Sequence, residues 1–179
     1  KGVVLSHRNA LSFVHWCSAT FDPRPEDRFS SHAPLHFDLS VLDLYLPLAH
    51  GATVVLIGPE AGREPVGLAA LIAERRLTVW YSAPTALAML AEFGHLERHR
   101  FTLRLVLFAG EVFPVKHLRA LADQLPAPRY FNLYGPTETN VCTCYEVAAP
   151  VPPERTAPYP IGKVCPHLRG RIVDPDAHD

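Results

Sequence analysis

Short apolar runs rich in β-branched residues alternate with segments of helical period along most of this sequence. The runs include "ATVVLIG", "TVWYSAP" and "LRLVLFAG", and several are apolar almost without interruption, as is typical of strands that are covered on both faces. Alternation of this kind builds βαβ units. The sequence therefore predicts an α/β fold, with a mostly parallel sheet and helices on both faces.

The individual elements follow from periodicity and from the residues that start and stop helices. The predicted strands are "DRFSSHAPL", "ATVVLIG", "TVWYSAP", "LRLVLFAG" and "PRYFNLYG". The predicted helices are "DLSVLDLYLPLAHG", "EPVGLAALIAERR", "TALAMLAEF" and "PVKHLRALADQL". Asp38 or Ser40 lies near the start of the first helix, and Pro114 is placed for the first turn of the last. Some further β structure is expected near the C-terminus.

Composition narrows the class of protein. The 179 residues are 48% hydrophobic and 20% charged, with a net charge of −1. This indicates a globular domain without a basic field for nucleic acid or for an anionic membrane surface. The apolar runs are shorter than the roughly 20 residues of a membrane helix, and no signal-peptide pattern is present. These features predict a cytoplasmic protein, in which the four cysteines are buried, reduced thiols.

Both ends of the sequence resemble internal positions of a longer chain. It begins with "KGVVLSH", without an initiator Met, and stops at "IVDPDAHD", just after a predicted strand. The expectation is a partial domain over residues 1–179, truncated at both ends. Within it, "APVPPERTAPYP" at residues 149–160 is too rich in proline for a helix or a central strand, which predicts a surface connection.

Several common site chemistries are missing. The sequence contains no G-x-G-x-x-G, no G-x-x-x-x-G-K-[ST] and no G-x-S-x-G. His32 and His36 flank Pro34, where a helix is disfavoured. His95 and His99 stand among charged residues, which is typical of a solvated face. We therefore predict no metal site built from protein side chains alone.

The stretch "NLYGPTE" follows directly on an apolar run and carries chemistry of its own. A turn at Gly135-Pro136 leaves Tyr134, Thr137 and Glu138 near the carboxyl edge of the sheet, where ligands of such folds bind. A tyrosine ring can stack on a purine, a threonine hydroxyl can donate to a phosphate oxygen, and a carboxylate can bind Mg²⁺. The alternative is a helix start with Thr137 as N-cap and Glu138 in the first turn. Spacing alone leaves both readings open.

Five motifs in order give the sequence a recognisable resemblance. "NLYGPTE" resembles the core motif of the adenylate-forming (ANL) superfamily, which includes amino-acid adenylation domains and acyl-CoA synthetases. "KGVVLSHRN" is similar to the tail of that family's phosphate-binding loop, "HFDLSVLD" to its substrate-side helix, "LVLFAGE" to the strand beside adenine, and "PIGKVCPH" to the segment after the core. The resemblance implies a partial AMP-binding domain that uses ATP and Mg²⁺.

The resemblance also implies roles in nucleotide binding. Tyr134 would stack on adenine, Asn132 would contact its amino edge, and Gly110 and Glu111 would line the ring with their backbone.

Further roles concern the phosphates and the metal. Thr137 would bind the α-phosphate, Glu138 the Mg²⁺ ion, and Lys1 would close the phosphate-binding loop. The Ser/Thr/Gly-rich part of that loop, the ribose-binding aspartate and the lysine-bearing small domain of the family do not occur in this sequence. Catalysis by these 179 residues alone is therefore not expected.

The remaining implied positions form an acid-binding pocket. They are Asp38, Leu39, Leu42, Tyr81, Leu107, Ala109, Leu133, Val141 and Cys142. A carboxylate in an apolar pocket requires a cationic partner, and the α-ammonium group of an amino acid would supply one. The alternative role of Asp38 is a helix N-cap.

The whole pocket set is similar to that of prolyl adenylation enzymes. It implies activation of L-proline and transfer to the phosphopantetheine arm of a carrier protein, as in nonribosomal peptide and pyrrole biosynthesis. An acyl-CoA synthetase of the same superfamily, or a catalytically incomplete binding piece, is the alternative.

Overall fold

The computed structural model describes residues 2–173. It contains a seven-stranded sheet of order β2-β1-β3-β4-β5-β6-β7. The strands are β1 Arg28–Ser31, β2 Thr53–Leu56, β3 Val79–Ser82, β4 Leu105–Phe108, β5 Arg129–Tyr134, β6 Thr143–Val147 and β7 Lys163–Val164. The helices are α1 His7–Phe21, α2 Leu39–Ala49, α3 Pro65–Glu74, α4 Pro84–Phe93 and α5 Val115–Gln124, with a 3₁₀ turn at Leu96–Arg98.

The first five strands are parallel to one another, and β6 and β7 are each antiparallel to the strand before them. The predicted α/β class with a mostly parallel sheet is confirmed. The five predicted strands and four predicted helices are all present, although the first strand ends at Ser31 instead of Leu35. The extra β structure expected near the C-terminus is the pair β6 and β7.

Helix α1 was not predicted. Its start carries a local signal: the Ser6 hydroxyl accepts a hydrogen bond from the Asn9 backbone N–H, and the Asn9 side chain accepts one from the Ser6 N–H. This capping box satisfies two backbone donors that the first helical turn leaves free. Asn replaces the usual Glu or Gln of the pattern, which is why the sequence did not reveal it.

The sheet separates two hydrophobic clusters. Along β4, Leu105 and Leu107 pack against α1 and α2, whereas Val106 and Phe108 pack against α3, α4 and α5. Strands β3 and β4 are buried along their whole length. Coverage of both faces explains why these strands have continuous apolar sequences, since no residue of either strand has to face water.

The buried carboxylate of Asp27 links the segments that precede β1, β3 and β4, at the amino ends of these strands. Asp27 is 2% exposed and accepts hydrogen bonds from Arg104 Nε at 2.9 Å, from Thr78 Oγ1 at 2.7 Å and from the Arg24 backbone N–H at 2.8 Å. Burial raises the pKa of Asp27, but the bonds from Arg104, Thr78 and Arg24 outweigh it and hold the pKa below its usual value. The ionised carboxylate therefore stabilises the fold.

Removal of this carboxylate is expected to destabilise the protein without touching the site. Asp27→Ala should lower the free energy of unfolding by about 3 kcal/mol, because it leaves the Arg104 guanidinium without its partner. In the wild type this stabilisation is present above the pKa of an unfolded aspartate, about 3.9, and is lost as pH falls through the lowered folded-state value. Urea unfolding between pH 7 and pH 3 checks both statements. An equal slope with pH in the variant and the wild type would contradict the role of Asp27.

The segment between β6 and β7 runs from residue 148 to residue 162 without helix or strand. Val151 is buried, and the Arg155 guanidinium lies 3.8 Å from the centre of the Tyr159 ring, which in turn packs on Tyr145. The segment is thus held against the sheet by aromatic and cation–π contacts.

All four cysteines are free thiols. Cys17 and Cys165 are buried, as predicted, but Cys142, just before β6, and Cys144, within β6, are only half-buried. Burial raises the pKa of Cys144 to about 11 and of Cys165 to about 12. Both thiols therefore remain protonated and are poor nucleophiles.

Candidate active site

A cavity of about 450 Å³ opens at the carboxyl edge of the parallel strands. Its walls come from the segments that follow β1, β3, β4 and β5, where ligands of such sheets bind. It is lined by His32, Ala33, Pro34, Phe37, Asp38, Leu39, Tyr81, Ser82, Ala83, Ala86, Ala109, Gly110, Glu111, Gly135, Pro136, Thr137, Asn140 and Val141.

Five of the residues predicted to bind the acid line this cavity: Asp38, Leu39, Tyr81, Ala109 and Val141. The other four take different places.

Leu42 and Leu107 are completely buried in the hydrophobic cluster to which Tyr81, Ala109 and Val141 also belong. Leu133 is in that cluster too and borders a second cavity, and Cys142 is half-buried after Val141. These four residues lie behind or beside the wall instead of forming it.

Asp38 stands immediately before α2, at the N-cap position. Its backbone is helical, with φ −65° and ψ −21°, and its side chain makes no capping hydrogen bond within the described chain. Ser40 Oγ donates to the Phe37 carbonyl at 2.7 Å, which fixes the turn before the helix but does not cap its free N–H groups. The half-buried Asp38 carboxylate is therefore not used by the helix and faces the cavity.

Two carboxylates of the described residues line the cavity, and they differ in their protein partners. The Glu111 carboxylate accepts hydrogen bonds from both the backbone N–H and the hydroxyl of Thr85, in the first turn of α4. Within residues 2–173, Asp38 makes no capping hydrogen bond, so its carboxylate remains available to a ligand. At the inner end, burial first and the neighbouring Asp43 and Asp38 next raise the pKa of Tyr81 well above its usual value, so its hydroxyl stays protonated.

The loop between β5 and β6 depends on a glycine. The Cys142 backbone N–H donates to the Tyr134 carbonyl at 2.7 Å, which closes the loop. A Cβ on Gly135 would lie 1.6 Å from the carbonyl oxygen of Asn140, a backbone atom that cannot move aside. Only glycine permits this close approach.

Asn140 ties this loop to α2. It adopts a left-handed conformation at φ 56°, which asparagine tolerates better than most residues. Its Nδ2 donates to the Asp38 carbonyl at 3.0 Å, and its Oδ1 accepts from the Val141 backbone N–H. The sequence reading gave Asn140 no role at the site, and only its short amide side chain in a Gly-Pro turn region hinted at one.

No helix begins at Thr137 in the described chain; residues 137–139 form a turn that leads into the antiparallel strand β6. The helix-cap reading of Thr137 is wrong, because the Gly135–Asn140 contact folds the chain back onto β5 instead. Thr137 is exposed and lines the first cavity.

A second cavity of about 390 Å³ adjoins the first and shares Gly110, Glu111 and Gly135 with it. Asn132 and Tyr134 line it, and Tyr134 is 49% exposed. Gly110 has φ +92° and open space where a Cβ would be, so its backbone is free to meet a flat ring. The Asn132 amide donates to the Pro160 carbonyl at 3.0 Å, which fixes its side chain towards the 148–162 segment.

Glu138 lies apart from these two cavities. It is exposed and borders a third cavity of about 260 Å³, together with Arg8, Asn9 and His167 near the start of α1. Lys1 lies outside the described residues. Within residues 2–173 there is no group of three or more His, Cys, Asp or Glu side chains that could hold a metal ion by itself. A single accessible carboxylate fits Mg²⁺ that is held mainly by phosphate oxygens and water.

None of the helices in the described part of the chain is long and apolar enough to cross a membrane.

Comparison with known proteins identifies the family. The AMP-binding enzyme family profile matches residues 1–179. The chain belongs to the AMP-binding enzyme family. It is 51% identical over 163 residues to an L-proline–[L-prolyl-carrier protein] ligase of Pseudomonas fluorescens, covering 90% of this chain and 32% of that protein. It is 47% identical over 177 residues to a protein of the same name from Streptomyces coelicolor, covering 97% of this chain and 33% of the relative.

A solved structure agrees with this assignment. The crystal structure of IdnL1 superposes with a TM-score of 0.83 at 35% identity, covering 92% of this chain and 34% of that one. The chain thus spans about a third of the length of the curated relatives it matches. The five motifs predicted an adenylate-forming enzyme, and the family match confirms that prediction.

Proposed function

We propose that the full-length protein containing this AMP-binding chain adenylates L-proline and transfers the prolyl group to the phosphopantetheine arm of a carrier protein. The observation that carries this proposal is the Asp38 carboxylate in the wall of the first cavity, free of any helix-capping bond. A carboxylate in a largely apolar cavity is costly without a cation. The ammonium group of an amino acid is a suitable partner.

The choice of proline rests on the remaining walls and on the relatives. Leu39, Tyr81, Ala109 and Val141 offer an apolar surface, and Glu111, the other carboxylate among the described residues of the cavity, is already bonded to Thr85. A hydrophobic pocket discriminates by only about 1–3 kcal/mol per methylene, so shape alone favours a small apolar amino acid. The names of the two relatives, at 51% and 47% identity, point to proline within that class.

The second cavity suits the nucleotide. The Tyr134 ring provides a stacking face, and the exposed Gly110 backbone allows close approach of a purine. Because the two cavities meet at Gly110, Glu111 and Gly135, an amino acid in the first would direct its carboxylate towards a nucleotide in the second. Thr137, at the rim of the first, is the proposed donor to the α-phosphate.

The proposed chemistry has two steps. An oxygen of the substrate carboxylate attacks the α-phosphorus of ATP, an O–P bond forms, and the bond to the β-phosphate breaks with release of pyrophosphate. The carrier thiolate then attacks the acyl carbonyl, forming the thioester and releasing AMP. The first nucleophile is already ionised at neutral pH, so positioning and charge neutralisation are the main contributions of the protein. Lys1 and Thr137 are proposed to contact the phosphates.

Glu138 is the proposed Mg²⁺ ligand, and bound Mg²⁺ would neutralise charge on the phosphates. Glu138→Gln should raise the Mg²⁺ concentration that half-saturates ATP–pyrophosphate exchange by on the order of tenfold, with the KM for proline nearly unchanged, because the amide is a weaker ligand for a hard cation. Glu92→Gln, on the exposed face of α4, is the matched control. An unchanged Mg²⁺ requirement in Glu138→Gln would remove the metal role.

An acyl-CoA synthetase is the rival function, and two measurements separate them. Exchange should occur with L-proline but not with cyclopentanecarboxylate, which has the same ring and carboxylate without the nitrogen. Labelled proline should be transferred to a phosphopantetheinylated carrier protein, and neither to CoA nor to the carrier without its arm. Activation of cyclopentanecarboxylate with transfer to CoA would support the rival.

A further inference from the structure

Asp43 is an acidic residue in the interior of the protein. It is 1% exposed, on the face of α2 that also carries Leu39, Leu42 and Leu46. Neither of its carboxyl oxygens has a hydrogen-bond partner among residues 2–173. Buried polar groups are nearly always paired, and a leucine would fill this position without a desolvation cost. Packing alone therefore does not explain an aspartate here.

The groups nearest to this carboxyl belong to the cavity wall. The backbone N–H groups of His32 and Ala33 approach it from the segment after β1, and Tyr81 faces it from β3. All three residues line the first cavity. Burial raises the pKa of Asp43 well above its usual value, and the two backbone groups offset this only in part. Asp43 thus lies directly behind the wall on which the substrate would rest.

The segment from His32 to Asp38 forms that wall, and its far end is fixed by two other side chains. Ser40 Oγ donates to the carbonyls of Leu35 and Phe37, at 3.2 and 2.7 Å. Asn140 Nδ2 donates to the Asp38 carbonyl at 3.0 Å. At the near end, the polar side chain that faces the segment from α2 is Asp43.

We infer that Asp43 is a positioning residue of the amino-acid site: its buried carboxyl group attracts the nearby backbone N–H groups of His32 and Ala33, without a hydrogen bond of normal geometry, and so holds the 32–38 segment in the position that presents Asp38 to the substrate. The inference rests on the proposed amino-acid adenylation. Asp43 does not touch the substrate and acts through the backbone of this segment. Its loss should weaken recognition of the amino acid and leave the nucleotide site, on the other side of Gly110, largely unaffected.

The test compares three variants of the full-length protein by ATP–pyrophosphate exchange. Asp43→Leu replaces both acceptor oxygens by methyl groups on the same branched skeleton, and Asp43→Asn keeps the shape but only one acceptor oxygen. Asp27→Asn is the matched control, since it alters an equally buried carboxylate at the opposite edge of the sheet. We expect the KM for the amino acid to rise at least tenfold in Asp43→Leu and at least threefold in Asp43→Asn, with the KM for ATP within twofold. Asp27→Asn should lower thermal stability and change neither KM.

An amino-acid KM within twofold of wild type in Asp43→Leu, or equal changes in both KM values, would overturn the inference. If ATP no longer stabilises Asp43→Leu against heat, that variant is misfolded and Asp43→Asn becomes the test. An amino-acid KM that rises less than threefold in Asp43→Asn, or equal changes in both KM values, would then overturn the inference. A wild-type protein that activates no amino acid would contradict the proposed function and this inference together. An active wild type with insensitive Asp43 variants would contradict the inference alone.

Discussion

Asp38→Ala should abolish proline-dependent ATP–pyrophosphate exchange, with a loss of roughly 100-fold or more in kcat/KM. Truncating one member of a buried charge pair costs on the order of 2–5 kcal/mol, because the remaining charge stays desolvated and unpaired. The Asp38 side chain does not cap α2, so the helix should keep its stability in the variant. The expected defect is therefore one of substrate binding and not of folding.

Two controls separate these effects. Thermal stabilisation of Asp38→Ala by ATP should match that of the wild type, since the nucleotide cavity does not include residue 38. Asp123→Ala, which removes an exposed aspartate from α5, should leave exchange unchanged. Retention of proline-dependent exchange in Asp38→Ala would show that the carboxylate does not anchor the ammonium group.

Gly135→Ala should disable both halves of the site at once. The added Cβ would lie 1.6 Å from the Asn140 carbonyl oxygen and 2.8 Å from the Cys142 nitrogen, so the loop must open. Opening would displace Thr137 from the first cavity and Tyr134 from the second. We expect a loss of exchange of roughly 100-fold or more and a decrease in stability of about 3 kcal/mol, at the upper end of the cost of overpacking.

Gly58→Ala is the matched control for this substitution, because a Cβ at residue 58 would meet no atom within 4 Å. Its exchange rate and melting temperature should equal those of the wild type. Exchange kinetics and thermal unfolding of the two variants in parallel provide the measurement. Wild-type activity in Gly135→Ala would mean that the tight loop is not required for the site.

Much of the fold could be predicted because its signals are local. Strands β3 and β4 are continuous apolar runs, and such runs between helical segments specify covered parallel strands. Helix α1 was not predicted because its capping box uses Asn9 in place of the usual Glu or Gln. The turn that joins β5 to β6 could not be predicted, because Thr137 is a plausible helix cap in isolation. The contact that excludes a helix there joins Gly135 to Asn140, and local propensity does not register it.

The site shows the same division between local and tertiary information. The order of motifs placed Asp38, Tyr81, Ala109 and Val141 at the carboxyl edge of the sheet, where they line the cavity.

The sequence did not predict which of these residues line the cavity and which lie behind its wall. Leu42 and Leu107 share their elements with cavity residues, and only the packing of α2 on the sheet decides that they lie behind the wall. Asp43 received no role from the sequence, because a charged residue on a helix usually faces solvent. The positioning role inferred for Asp43 rests on its burial, which depends on tertiary packing.

The most direct test of the account is amino-acid-dependent ATP–pyrophosphate exchange by the full-length protein, with L-proline measured against D-proline, glycine, L- and D-alanine, L-valine, L-leucine and L-lysine. The account predicts the highest kcat/KM for L-proline and no exchange with L-lysine, since Glu111, the other carboxylate that the described residues place in the cavity, is already bonded to Thr85. Highest activity with another small apolar amino acid would correct the substrate and keep the ammonium anchor. Exchange with none of the amino acids, or equal exchange with cyclopentanecarboxylate, would contradict the central claim that Asp38 defines an amino-acid site.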